Sequence, residues 1–169
     1  MLRLSHDDKS VYFMELKPGG YTISRWDVAT NQARVLMDDN VGGNFSYADV
    51  SHDERLLYRT RLRSLEVRPI SGSAWVRLAT ISSNETFIDS TPDGNWIYYR
   101  DRDAAGKPAL FRVATSGGPA ERMGDFPEGE AGIMRISPDG SKVVVSLYSA
   151  SNGYETWSLE NFVPTEARR

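Results

Sequence analysis

Hydrophobic residues in this chain recur in short runs, and none of the runs has a helical period. Residues 11–14 (Val-Tyr-Phe-Met), 56–58 (Leu-Leu-Tyr), 96–99 (Trp-Ile-Tyr-Tyr) and 143–145 (Val-Val-Val) are rich in β-branched and aromatic side chains. Each run follows a polar turn, which is the pattern of a buried strand. A second set of segments, 22–28, 65–70, 109–113 and 154–159, alternates apolar and polar positions as a half-buried strand does. The pattern predicts an all-β protein.

The turns ahead of the runs align without gaps. They read Ser5-His6-Asp7-Asp8, Ser51-His52-Asp53-Glu54, Thr91-Pro92-Asp93-Gly94 and Ser137-Pro138-Asp139-Gly140. The spacing of Asp7, Asp53, Asp93 and Asp139 matches the roughly 40–45 residues that a four-stranded propeller blade occupies. These aspartates are structural in this reading. Proline presets φ, the carboxylate accepts nearby backbone N–H groups, and glycine accepts a positive φ. Asp8 and Glu54 stand where the later copies have glycine, so the first two turns are expected to be looser. Trp26, Arg68, Phe111 and Trp157 are expected at matching positions of the second strands.

Ser-Pro-Asp-Gly before an apolar strand, repeated at blade spacing, resembles the TolB-type, WD-repeat-like β-propeller repeat. The match is strongest at residues 137–145 and 91–99 and extends over nearly the whole chain. The resemblance implies a β-propeller of four antiparallel four-stranded blades, at about 1–43, 44–85, 86–128 and 129–162, with a polar tail at 163–169. It also implies a non-catalytic module that recognises a protein or peptide through a flat face or central channel. Similar repeats form the accessory, gating propellers of peptidase-like enzymes and the sensor regions of regulatory proteins.

Propellers of this family usually close with six to eight blades, and four copies raise the question of closure. Open blades leave apolar faces and strand edges in water. The chain could close on itself, pair with a second copy as a two-chain ring, or form half of a larger propeller. An isolated or engineered fragment that self-assembles belongs with the second case. Only Met1–Leu4 precede the first turn, which suggests a missing inner strand and favours an incomplete ring.

Composition narrows function mainly by exclusion. The net charge of −3 argues against a dedicated nucleic-acid binder. The absence of cysteine removes thiolate chemistry, and no stretch is long and apolar enough for membrane insertion. His6 and His52 occupy turn positions without a third partner, so neither a metal site, a cofactor nor a Ser-His-Asp arrangement is expected. Asp101-Arg102-Asp103-Ala104-Ala105-Gly106 begins like a calcium loop but lacks its later ligands, and a hairpin turn is expected there. If Met1 is the native start the expected compartment is cytoplasmic. Excision from a longer secreted chain would make it periplasmic.

The remaining candidates concern binding. Ser46, Tyr47, Asp49, Met134 and Arg135 flank or lie on inner strands and are expected to approach the top face or channel of a ring. Arg59, Arg61 and Arg63 would share one face of a strand by period-two alternation, as a possible basic patch for an acidic peptide.

Overall fold

The computed structural model describes residues 2–40, 47–83, 88–149 and 153–160 of the chain. Its described elements are fifteen strands, in four antiparallel sheets arranged as propeller blades. Blade one contains β1 (Leu2–Leu4), β2 (Ser10–Lys17), β3 (Gly20–Asp27) and β4 (Gln32–Asn40). In blade two are β5 (Ala48–Val50), β6 (Leu56–Arg61), β7 (Ser64–Pro69) and β8 (Val76–Thr80). Blade three holds β9 (Ile88–Ser90), β10 (Trp96–Arg102), β11 (Pro108–Ala114) and β12 (Glu121–Asp125). Blade four has β13 (Glu130–Ile136), β14 (Lys142–Ser149) and β15 (Gly153–Glu160) among the described residues. Strands follow chain order from the inside outward in every sheet.

β1 corrects the expectation that the first copy lacks an inner strand. It pairs Leu2 with Phe13 and Leu4 with Val11, as β5 pairs Ala48 with Arg59 and Val50 with Leu57. Three residues suffice, because β5 and β9 are equally short.

All four turns have one hydrogen-bond plan. The hydroxyls of Ser5, Ser51, Thr91 and Ser137 donate to Asp7, Asp53, Asp93 and Asp139. The same four hydroxyl oxygens accept the N–H groups of Ser10, Leu56, Trp96 and Lys142. Each aspartate accepts the N–H two residues on, at Lys9, Arg55, Asn95 and Ser141. Asp8, Glu54, Gly94 and Gly140 all have positive φ, between 56° and 69°. The first two turns are therefore not looser. They hold a carboxylate residue in the left-handed region, at a cost of about 1 kcal/mol each. Gly94 is further constrained by its neighbour, since a Cβ there would lie 2.0 Å from the Asp53 carboxylate.

Three apolar clusters fill the spaces between successive blades. Tyr12, Tyr21 and Ile23 of blade one pack on Ala48, Val50 and Leu57 of blade two. Tyr58, Leu65 and Val67 meet Ile88, Ile97 and Val113, and Tyr98 and Leu110 meet Met134, Ile136 and Val143. Alternation sends one face of each strand toward each neighbouring blade, so strands flanked on both sides, such as β5, β6 and β9, are buried at nearly every position.

Strand register also shifts one predicted alignment. Trp26 and Arg68 do match, opposite Val11 and Leu57, but Phe111 and Trp157 pair two positions away, opposite Tyr99 and Val145. Their true counterparts in the first two blades are Ser24 and Glu66. The hairpins between the first two long strands differ in length from blade to blade, and spacing from the turn aspartate loses register beyond them.

Candidate functional site

Four residues ahead of each turn aspartate, the inner strands carry Arg3, Asp49, Asp89 and Arg135. Alternation turns these positions away from the residues on either side. Arg3 donates to the carbonyls of Val50 and Ser51 in blade two at 2.8 Å. Asp49 is buried, with the N–H of Val50 on one oxygen at 2.7 Å and the Tyr47 hydroxyl at 3.4 Å from the other. Burial pushes its pKa up, against the opposing pull of Arg3 and Arg135.

Arg135 reaches from blade four to blade two. One guanidinium nitrogen donates to the Tyr47 hydroxyl at 3.2 Å and to the Met134 carbonyl at 2.9 Å, while the other lies 3.9 Å from Asp49. Burial and the Asp49 carboxylate push the Tyr47 phenol up to about 12. Tyr47, Asp49 and Arg135 thus converge, with the Arg135 side chain still 46% exposed. Asp89 sits deeper. Its carboxylate accepts the Ile136 N–H at 2.8 Å and the Tyr58 hydroxyl at 3.3 Å, and lies 3.2 Å from His52 Nε2. Residues of three blades meet on that one group.

The other predicted residues fare differently. Ser46 lies outside the described residues. Met134 does not face the channel side, because it alternates with Arg135 and is buried in the cluster between blades three and four. Arg59, Arg61 and Arg63 do not make one exposed face. β6 ends at Arg61, and Arg63 sits in the following turn with φ of 58°. Arg59 is buried, bonded to Asp39 at 2.6 Å and Glu66 at 2.8 Å. Its guanidinium lies 4.0 Å from the centre of the Trp75 ring, which Arg68 also approaches at 5.1 Å. The arginines lock blade one to blade two.

Clefts open between blades. One, of about 510 Å³, is lined by Trp96, Tyr98, Arg112 and the turns holding Asp93 and Asp139. Arg112 stacks over Trp96 at 4.1 Å and pairs with Glu121 at 2.7 Å. Another, of about 350 Å³, lies beside Trp75, Arg34 and Asp38. Residues 101–107 form the expected hairpin turn, with Asp103 accepting the N–H groups of Ala105 and Lys107.

Sequence reasoning missed Arg3 and Asp89, although a signal was present. Their offset from the turn aspartates equals that of Asp49 and Arg135, so aligning the column before the turn would have found them.

The comparisons with solved structures agree with this geometry. TolB from Acinetobacter baumannii superposes with a TM-score of 0.71 over 94% of this chain, at 18% identity. The chain has the β-propeller fold. A TolB structure from Agrobacterium tumefaciens gives a TM-score of 0.68 at 21% identity, again over 94% of the chain. A prolyl endopeptidase studied for inter-domain dynamics gives 0.63 at 13% identity over 96% of the chain. The chain spans 40% and 60% of the two TolB chains and 26% of the endopeptidase. No protein-family model matches the sequence, and no curated protein does. Among the described residues no helix is long and apolar enough to cross a membrane.

Proposed function

We propose that the chain is a non-catalytic β-propeller module for protein or peptide recognition and assembly. The observation that carries this reading is the convergence of Tyr47 and Asp49 from blade two with Arg135 from blade four. A guanidinium, a phenol and a carboxylate at one spot offer both donors and acceptors to a main chain or to a charged side chain. Arg135 is held by one long hydrogen bond and one to its neighbour's carbonyl, so it can turn to a ligand, while the Val50 N–H and the positive charge of Arg3 still favour the Asp49 carboxylate.

Panning a random peptide library against the intact chain tests the reading. Peptides that bind the parent chain should lose about tenfold or more in affinity with Arg135→Ala, and less with Tyr47→Phe. Failure to select any binder, or selection of binders indifferent to both substitutions, would count against it.

A second reading is favoured by the likeness to the prolyl endopeptidase structure. Here the chain is an accessory propeller segment of a larger peptidase-like or regulatory protein. Attached hydrolase or regulatory sequence in the complete reading frame would support that reading.

A further inference from the structure

Arg68 stands where the other blades have an apolar side chain. It pairs with Leu57 across β6 and β7. Opposite the matching residues Val11, Ile97 and Val143 are Trp26, Val113 and Leu159. Arg68 is nonetheless buried, at 8% exposure. A guanidinium stays protonated at any accessible pH, so this position holds a fixed positive charge between blades one and two.

The partners of Arg68 aim it without neutralising it. It donates to the carbonyl of Pro69 at 3.3 Å, to that of Gly72, and to that of Leu36 in blade one at 2.5 Å. Carbonyl oxygens satisfy N–H groups but carry no net charge. Among the described residues no carboxylate pairs with Arg68, and the neighbouring carboxylates of Asp39 and Glu66 are held by Arg59. Burial, and then the charge of Arg59, push the Arg68 pKa below its ordinary value, the direction of a cation short of counter-charge. A desolvated charge of this kind is costly until an anion reaches it.

A cleft leads to it. The space of about 350 Å³ between β4 and the connection before β8 is lined by Arg68 and by the exposed Arg34. Asp38 is the one carboxylate among its described lining residues, and Lys17 donates to it. Ser71 and Ser73 bring hydroxyl donors to the same cleft. Val35, Ile70 and the half-buried Trp75 give it an apolar side. Uncompensated positive charge, hydroxyl donors and apolar surface thus meet in one place, all supplied by two adjacent blades of this chain.

We propose that this cleft binds an oxyanion on a peptide side chain, a carboxylate or a phosphate, with Arg68 as its buried counter-charge and Arg34 pairing with it from the exposed side. A guanidinium suits either group, because its N–H fork matches two oxygens of one anion. Apolar neighbours of the acidic residue lie against Val35, Ile70 and Trp75. The site uses none of Tyr47, Asp49 and Arg135, so it stands or falls separately from their convergence.

NMR of the arginine Nε–H groups in the full chain, titrated with short blocked peptides, provides the test. The probes are Ala-Leu-Glu-Leu-Ala, the same peptide with phosphoserine at its centre, and neutral controls with glutamine or serine there. Both acidic peptides should shift the Arg68 and Arg34 signals saturably, and the controls should bind about tenfold or more weakly. The tighter of the two acidic peptides assigns the anion. Arg34→Gln alters only an exposed side chain and should weaken binding about threefold. Arg68→Leu should abolish binding while keeping the fold, because it restores the apolar residue of the other blades. Arg135→Ala should leave binding unchanged. Equal binding of acidic and neutral peptides, no saturable shift at Arg68, or acidic-peptide binding that survives Arg68→Leu overturns the proposal.

Discussion

The carboxylate of Asp89 in blade three accepts the main-chain N–H of Ile136 in blade four, 47 residues on, at 2.8 Å. The Tyr58 hydroxyl of blade two and His52 reach the same carboxylate. Apolar packing between sheets is nondirectional, so it leaves the stagger of adjacent blades loosely set. A buried carboxylate shared by three blades fixes that stagger, because each donor left behind carries a desolvation penalty.

Asp89→Ala should therefore cost about 3 kcal/mol or more, since it strands a buried N–H and a buried hydroxyl together. Asp89→Asn keeps one acceptor oxygen and should cost about half as much. Urea unfolding followed by tryptophan fluorescence measures both. A loss below the Asn value for the alanine variant would show that water replaces the carboxylate.

Blades one and two are joined by a different device. Asp39 and Arg59 are 5% and 8% exposed in their side chains, and Arg59 also holds Glu66 and lies over Trp75. Removing one partner of a buried pair leaves the other charge in a low-dielectric site. Asp39→Ala should cost about 2–4 kcal/mol, with Glu66 retaining part of the arginine's pairing. A double-mutant cycle with Arg59→Met should recover much of that loss, because it removes the stranded charge.

The left-handed residues give a matched pair of substitutions. Asp8 has φ of 56° and Glu54 has φ of 60°. Asp8→Gly should stabilise the chain by about 1 kcal/mol, by relieving the Cβ clash of that region. Glu54→Gly relieves the same strain but loses the bonds from His6 and Tyr12, and should be neutral or destabilising. Thermal melts of the two variants side by side show whether the contact or the strain dominates.

The turns were legible in the sequence because their chemistry is local. A hydroxyl, an aspartate and a residue of positive φ all act within five positions, so spacing alone reveals them. Blade number and strand order followed from the repeat. Arg59 could not be read in the same way. Its partners Asp39 and Glu66 lie on separate strands of two blades, and its neighbour Trp75 lies in the connection before β8. An arginine run on a strand looks identical whether its face meets water or the next blade. The Met134 side was equally ambiguous, since a one-position slip exchanges core for channel.

Acid should weaken the turns in a defined window. Hydrogen bonds from Ser137 and the Ser141 N–H hold Asp139 down to about 2, from an ordinary value near 3.8. Asp7 is lowered by its bonds from Ser5 and Lys9. Asp53 and Asp93 are lowered too, with hydroxyl and backbone bonds outweighing the opposing effect of burial. A carboxylate whose folded pKa is depressed stabilises the fold above its unfolded pKa, and that stability is lost as pH falls toward the folded value. The window runs from about pH 4 down to about 2 for Asp139. Asp49 has the opposite sign. Burial raises its folded pKa, so its charged form disfavours the fold at neutral pH and protonation on acidification relieves that. The chain should therefore unfold on acidification through the turns, and Ser137→Ala should move the midpoint to higher pH. Carboxyl carbon NMR titration checks the cause directly: Asp139 in the Ser137→Ala variant should titrate closer to the ordinary aspartate value.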